Sequence, residues 1–257
     1  MPAPENILKI QLQSGKNLFG CWVGMADSYA AEISASAGFD WLLVDGEHAP
    51  NDLRSILSQL QVISASTSHP IVRLPIGETY MIKQALDAGA QNLLIPMVES
   101  GEQARELVRA TRYPPNGVRG VGSALARASN FNAIPDYLTT ADEQICLIVQ
   151  LETVAGVEAL DDILAVEGID GVFIGPSDLA ADMGMLGKAN SPEVQSATNA
   201  LLKRIKASGK AAGILALSND SIDQALESGA CFIGVGIDVL LFANSMRKLA
   251  ANPTKPD

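Results

Sequence analysis

Two carboxylates follow consecutive apolar segments in the second half of the chain. Glu152 ends the segment CLIVQLE (146–152), and Asp178 follows GVFIGP (171–176). If the segments are neighbouring strands, the two carboxylates meet at one edge of a sheet and repel each other unless a cation lies between them. Mg²⁺, Mn²⁺ and Co²⁺ bind oxygen ligands of this kind. The alternative is that each carboxylate caps the helix that follows it, and spacing alone leaves both interpretations open.

His48 is the candidate for proton transfer. It is one of two histidines and follows the apolar segment WLLVDG (41–46). A histidine there could act as a general base near neutral pH, or it could be a partly exposed loop residue. The second histidine, His69, directly precedes Pro70 at the start of the next apolar segment, and we expect it to be structural.

Arg73 interrupts the apolar segment PIVRLP (70–75). A buried arginine is costly unless it is paired or faces a binding site. The chain has a formal net charge of −11, which argues against nucleic acid and anionic membranes as partners. An anionic substrate therefore needs a local cation, and Arg73 is the best candidate, with a structural salt bridge as the alternative.

No apolar segment contains a lysine, which disfavours Schiff-base chemistry. Lys83, Lys203 and Lys206 lie in helical patterns, and Lys210 precedes the seventh apolar segment. Lys188, in a loop, is the one lysine that could reach a site at the other end of the strands.

Eight short apolar segments alternate with amphipathic helical patterns. Continuous apolar stretches of this length are typical of strands buried on both faces. The alternation within one undivided chain predicts the α/β class and a single (β/α)8 TIM barrel over residues 1–257, with a doubly wound open sheet as the alternative. The segments are 19–25, 41–46, 70–75, 92–98, 146–152, 171–176, 211–217 and 231–237.

Such a barrel would bring the candidates together, because active sites lie at the C-terminal ends of the strands. The second strand ends in Asp45, Glu47 and His48, and strands three, five and six supply the others. More than thirty residues separate the helix near Arg112 from the fifth strand, and we expect this connection to lie on the same face.

The cysteines and the N-terminus indicate a cytoplasmic protein. Cys21, Cys146 and Cys231 are odd in number and lie far apart in apolar segments, as expected of reduced core residues. The first residues contain no apolar signal core, and no run approaches the ~20 apolar residues of a membrane helix.

Several long stretches resemble the class II pyruvate aldolases, which are metal-dependent and have a TIM barrel of the phosphoenolpyruvate/pyruvate type. They are WLLVDGEHAPN, LLIPMV, ATRYPPNGVRGVGSALARAS, VQLET and DGVFIGPSDLAADMG. The resemblance runs from Gly20 to Ala250. It is strongest to the 4-hydroxy-2-oxoheptane-1,7-dioate aldolases, and the 2-keto-3-deoxy-sugar-acid aldolases are nearly as similar.

The resemblance implies a role for each candidate. Glu152 and Asp178 would hold Mg, Mn or Co, His48 would be the base, and Arg73 would stabilise the enolate oxygen. Asp87 would be the acidic partner of the histidine, although the residues alone suggest a helix-surface pair with Lys83. The expected substrate contacts are Arg73, Gln150, Gly175, Ser177, Trp22 and Leu215; the family often has alanine where Ser177 stands.

The implied reaction is reversible cleavage of a 4-hydroxy-2-oxo acid to pyruvate and an aldehyde such as succinic semialdehyde. The alternatives are a glucarate- or rhamnonate-type sugar-acid aldolase, a CoA-ester lyase and a non-catalytic oxo-acid-binding barrel. Arg119, Ser123 and Arg127 of the long connection would bind the distal end of the substrate or tie that connection down.

The resemblance also implies a homo-oligomer, a trimer or a hexamer, in which the C-terminal helix can be exchanged between subunits. Leu240, Leu241 and Phe242 near that helix are candidates for a subunit contact.

Overall fold

A computed structural model describes residues 1–251. All eight apolar segments form strands, each within a few residues of the predicted bounds. The strands are β1 Leu18–Val23, β2 Trp41–Asp45, β3 His69–Arg73, β4 Asn92–Ile95, β5 Cys146–Leu151, β6 Gly171–Ile174, β7 Ala211–Leu215 and β8 Phe232–Ile237.

The strands form one closed parallel barrel in chain order, and β8 pairs with β1 to close it. The predicted (β/α)8 TIM barrel is thereby confirmed, and the open sheet is excluded. The register also settles two relationships that matter for chemistry. Asp45 lies directly beside Arg73 on β2 and β3, and Leu151, which precedes Glu152, lies beside Ile174 on β6.

Helices surround the barrel, and local capping explains where several of them begin and end. Asp52 accepts a hydrogen bond from the backbone N–H of Ser55 and so caps the start of the third helix. Gly89 ends the fourth with φ of 105°, a conformation that favours glycine. The helices of residues 1–251 are α1 Ile7–Gln13, α2 Ser28–Ala35, α3 Leu53–Ile63, α4 Thr79–Ala88, α5 Gly101–Thr111, α6 Tyr137–Thr140, α7 Val154–Glu158, α8 Leu160–Leu164, α9 Pro176–Asp182, α10 Pro192–Ala207, α11 Asn219–Glu227 and α12 Asp238–Ala251.

The core has two layers. Aliphatic and alanine side chains fill the space between strands and helices, and a smaller cluster fills the barrel interior. Four aromatic rings stack in that interior, with Trp41 and Phe232 centroids 4.3 Å apart and Trp22 and Phe173 centroids 5.3 Å apart. Aromatic residues are only 5% of the chain, and these four are concentrated in the barrel interior. Their packing makes the interior below the strand ends rigid.

The long connection between α5 and β5 is not where we expected it. It lies over the outer surface of α4 and along the N-terminal end of the barrel, where Asp136 accepts from the N-terminal amine and Arg127 donates to the carbonyl of Ala88. The reason is topological: a connection that follows a helix and precedes a strand starts and ends at the N-terminal end of the strands.

The C-terminal helix α12 buries none of its side chains, and it contacts β1 and β8. No helix among residues 1–251 combines the length and the apolar character needed to cross a membrane.

Candidate active site

A cavity of about 610 Å³ opens at the C-terminal ends of the strands. It gathers most of the residues that the sequence analysis selected, from strands on every side of the barrel. Those that line it are Trp22, His48, Arg73, Gln150, Gly175, Ser177, Asp178 and Leu215.

A second cavity, of about 360 Å³, lies between α4, the long connection and the N-terminal segment. Among residues 1–251, its lining contains Arg127 and Tyr137 but no carboxylate, histidine or cysteine. The described part of this cavity therefore offers neither a metal-ligand set nor an acid–base pair.

Arg73 is fixed by two carboxylates. Its Nε and Nη2 donate to the two oxygens of Asp45 at 2.8 and 2.7 Å, and its Nη1 lies 2.8 Å from Glu47 Oε2. The residue is 7% exposed and lines the cavity. The structural salt bridge is therefore present, and the role of Arg73 in binding a substrate stays a prediction. Burial alone would raise the pKa of Asp45, but the hydrogen bonds and charge of Arg73 outweigh it and hold that pKa below its ordinary value.

Glu152 is 2% exposed and held by two donors. The backbone N–H of Met97 donates to Oε1 at 2.9 Å, and the side-chain amide of Gln150 donates to Oε2. Burial raises the pKa of Glu152, and the negative charges of Glu47 and Asp178 add to that rise. A buried carboxylate that neighbouring carboxylates destabilise is a group that gains from a cation.

Gly175 provides the room that Glu152 needs. A Cβ atom at position 175 would lie 2.6 Å from Glu152 Oε2 and 3.2 Å from Gln150 Nε2. Asp178 follows in the first turn of α9 and is exposed toward the cavity, together with Ser177. Neither Glu152 nor Asp178 has its carboxylate engaged in capping its own helix, which removes the alternative interpretation of this pair.

The residues fit a divalent ion bound by two carboxylates. Within residues 1–251 no three histidine, cysteine or acidic side chains form a metal-ligand set, so the remaining positions would be filled by water or substrate. A buried acceptor beside the pair, Gln150 Oε1, has no hydrogen-bond donor among the described residues. Unsatisfied acceptors at this depth are costly unless an ion, a water molecule or a ligand supplies a partner.

Glu47 is a residue to which the sequence analysis assigned no role, although it stood among the strand-end residues. It lies between Arg73 and His48, with Oε2 2.8 Å from Arg73 Nη1 and 3.8 Å from His48 Nε2. Burial raises the pKa of Glu47, and the negative charge of Asp178 adds to that rise. The positive charge of Arg73 lowers the pKa but does not outweigh burial. The available signal was its position two residues after Asp45, but which way its side chain points depends on the fold of the loop.

His48 lines the cavity and its side chain is 67% exposed, so it can meet both a substrate and solvent. Its backbone N–H donates to Asp45 Oδ1 at 3.4 Å, which ties the histidine loop to the end of β2.

Asp87 does not reach His48 within one chain. It lies on the outer side of α4, where its Oδ1 accepts from Arg119 Nη2 at 2.8 Å, and its ion-pair partner is Arg119 and not Lys83. The guanidinium of Arg119 is fully buried and stacks on the Tyr113 ring at 4.4 Å. Arg127 is bound to the carbonyl of Ala88 at 3.2 Å, so both arginines of the long connection tie it down, and neither lines the cavity of its own barrel.

The chain is similar to aldolases along nearly its whole length. A family model described as HpcH/HpaI aldolase/citrate lyase matches residues 18–245. A hydroxypyruvate/pyruvate aldolase of Roseovarius nubinhibens is 61% identical over 251 residues, covering 98% of each chain. A 4-hydroxy-2-oxo-heptane-1,7-dioate aldolase of Escherichia coli is 53% identical over 247 residues, covering 96% of this chain and 94% of the relative.

The solved structures agree. A crystal structure of an HpcH/HpaI aldolase/citrate lyase family protein from Burkholderia cenocepacia is similar with a TM-score of 0.92 and 41% identity, over 96% of this chain and 98% of that chain.

Proposed function

Because the chain belongs to the HpcH/HpaI aldolase/citrate lyase family, we propose that it is a divalent-metal-dependent aldolase that acts on 4-hydroxy-2-oxo acids. The reaction is reversible cleavage of a carbon–carbon bond to give pyruvate and an aldehyde, for example succinic semialdehyde. The main observation that supports it is the buried Glu152, whose pKa the negative charge of Asp178 helps to raise. Asp178 lines the same cavity as Arg73 and His48.

Glu152 and Asp178 would hold a divalent ion, which would supply Lewis acidity toward the oxygens of a 2-oxo acid. Arg73, held in place by Asp45, donates hydrogen bonds to the oxygen that becomes negative as the enolate forms. Because Asp45 orients the guanidinium of Arg73 before the substrate binds, the guanidinium needs little reorganisation during the reaction.

His48 moves the proton. In the cleavage direction it accepts the proton of the C4 hydroxyl, the C3–C4 bond breaks, and the C4 oxygen becomes the aldehyde carbonyl. The electron pair of the broken bond stays on the pyruvate fragment as its enolate, which becomes pyruvate when C3 is protonated. Among residues 1–251 no lysine lines the cavity, which supports a mechanism without a Schiff base.

A second candidate keeps this chemistry with hydroxypyruvate in place of pyruvate. The observation that favours it is the 61% identity to a relative named for both substrates. The three cysteines are free thiols, which supports a location in the reducing cytoplasm.

The direct test is release of pyruvate from a 4-hydroxy-2-oxo acid, followed with a coupled dehydrogenase. We expect activity that a chelator abolishes and that Mg²⁺, Mn²⁺ or Co²⁺ restores. Activity that ignores the chelator, or none with any such acid, would overturn the proposal.

The base is tested with His48→Ala. Removing a general base costs about 10²–10⁴-fold in turnover. Binding of Mn²⁺ by calorimetry serves as the control, because His48 is not one of the proposed ligands. Turnover near that of the parent enzyme would exclude this assignment.

A further inference from the structure

The rim of the cavity contains a guanidinium that no carboxylate of residues 1–251 engages. Arg247 of α12 lines the cavity and is exposed, and among the described residues its one side-chain hydrogen bond goes from Nη1 to Asn244 Oδ1 at 3.1 Å. Arg73, the other arginine of the lining, is committed to Asp45 and Glu47. Among the described residues, Arg247 is therefore the arginine of this cavity that no carboxylate pairs with.

An apolar wall leads from the strand ends to Arg247. Val239, Ala243 and Arg247 are spaced by four residues, so they follow one face of α12 over a rise of about 12 Å. Ala49 and Pro50 line the cavity as well, on the loop that begins at His48. A ligand that reaches outward from His48 thus passes aliphatic surface before it meets the guanidinium.

The start of α12 is fixed in position. Asp238 accepts hydrogen bonds from the backbone N–H groups of Gly24 at 2.8 Å and Met25 at 3.2 Å. A Cβ atom at Gly24 would lie 3.3 Å from Val239 and 3.7 Å from Ala49, so the loop after β1, the histidine loop and α12 meet there. These contacts set which face of α12 is turned to the cavity.

The charges inside the cavity explain why a cation at its rim matters. Asp45, Glu47, Glu152 and Asp178 lie at its depth or beside it, and the whole chain is strongly acidic. These carboxylates would repel the carboxylate of an aldehyde such as succinic semialdehyde from the bottom of the cavity. The guanidinium at the mouth is where such a group can be bound at a distance from the carboxylates.

We propose that Arg247 and the apolar wall of Ala49, Pro50, Val239 and Ala243 form a subsite for the distal anionic group of the aldehyde. This inference rests on the proposed aldolase function and adds a preference for acceptor aldehydes that end in a carboxylate. The aliphatic part of such a molecule contacts the wall, and its carboxylate accepts hydrogen bonds from the guanidinium.

The test compares two aldehydes of similar length as acceptors for pyruvate: succinic semialdehyde and the uncharged pentanal. The quantity measured is the ratio of kcat/KM for the charged aldehyde to that for the uncharged one. Arg247→Met keeps much of the aliphatic stem and removes the charge. We expect the ratio to fall about three- to tenfold, the effect of losing one partly exposed charge-assisted hydrogen bond.

Two further variants make the result specific. Lys248→Met removes the same charge from the next residue of α12, which is exposed and does not line the cavity, and should leave the ratio unchanged. Arg247→Lys should restore part of the preference. In the parent enzyme, added salt should lower the ratio because it screens an exposed ion pair.

Two outcomes overturn the subsite: a ratio that is unchanged in Arg247→Met, even if both aldehydes react more slowly, or an equal fall of the ratio in Lys248→Met. Failure of the proposed function itself gives a different result, because neither aldehyde would then react with pyruvate in the parent enzyme.

Discussion

Glu47 lies where the groups proposed for substrate binding and proton transfer meet. Its Oε2 is 2.8 Å from Arg73 Nη1 and 3.8 Å from His48 Nε2, and its charge acts on Glu152. The contact with Arg73 is a half-buried ion pair, and the negative charges of Asp45 and Asp178 also act on this carboxylate. We infer that Glu47 supports the cation held by Glu152 and Asp178 without being counted among its ligands.

Glu47→Gln removes this charge while preserving the shape of the side chain. Groups just outside a metal's ligand shell typically contribute 10–100-fold to metal affinity, and we expect a loss of about this size for Mn²⁺. Isothermal titration calorimetry measures it. Glu78→Gln, at an exposed carboxylate that makes no capping hydrogen bond, is the matched control. Equal affinities in the two variants would contradict the role of Glu47.

The raised pKa values of Glu152 and Glu47 predict how metal and pH act together. Burial is the main cause of both rises from an ordinary value of 4.5. Since the folded protein holds these protons more tightly than the unfolded chain, their contribution to the stability of the metal-free protein is lost as pH rises through the raised pKa values. A cation binds the ionised carboxylates and offsets that loss.

Saturating Mn²⁺ should therefore raise Tm more at pH about 7 than at pH about 5. Thermal unfolding with and without metal at each pH measures the difference. Taking the difference between the two samples at one pH removes the effect of groups that are not proposed ligands, such as Asp45, whose pKa Arg73 lowers. A larger increase at the lower pH would refute the argument.

At the scale of secondary-structure elements, the ends of β4, β5 and β6 together position Glu152. Met97, after β4, has φ of 56°, a conformation rare for a residue with a side chain, and its N–H donates to the carboxylate. Gly175, after β6, leaves the space that the carboxylate occupies. Three separate strand ends thus constrain one side chain, which is how a barrel holds a ligand rigidly.

Gly175→Ala tests this arrangement. The added methyl group would lie 2.6 Å from Glu152 Oε2, so the carboxylate or the start of α9 must shift. A displacement of this kind at a catalytic group can cost about 10²-fold, and we expect activity to fall at least tenfold, with weaker metal binding. Gly122→Ala is the control, since a Cβ there meets only Asp87 at 3.9 Å. Retained activity in Gly175→Ala would show that the close approach is not needed.

At the scale of the whole molecule, α12 has two different faces. Val239, Ala243 and Arg247 face the cavity, while Phe242, Met246 and Leu249 form an exposed apolar stripe at helical spacing. Exposed apolar stripes of this kind mark contact surfaces. We propose that a second copy of the chain covers this stripe in the predicted homo-oligomer; exchange of the helix between subunits stays a prediction.

Phe242→Asp places a charge in the centre of the stripe and should shift the protein to smaller species. Light scattering coupled to size-exclusion chromatography measures the mass. Leu186→Asp, at a leucine that is 81% exposed in a loop before α10, should leave the mass unchanged. A monomeric parent protein, or two variants with the same mass as the parent, would count against the oligomer.

The sequence alone determined the barrel and the residues at its strand ends. Eight apolar segments separated by helical patterns have few arrangements other than a parallel barrel, because each strand must bury both faces. Once the strands are located, the alternation of strand and helix puts Glu152, Asp178, His48 and Arg73 on the same face. These positions follow from local patterns, and the resemblance to class II pyruvate aldolases supplied the chemistry that spacing left open.

Only the tertiary structure decided which side chains meet. Asp87 pairs with Arg119 on the outside of α4, Glu47 turns between Arg73 and His48, and Arg247 comes to the cavity from the far end of the chain. The physical reason is that each of these contacts joins groups on different loops or helices. Their side-chain directions depend on how those elements pack against the barrel, which no local sequence pattern specifies.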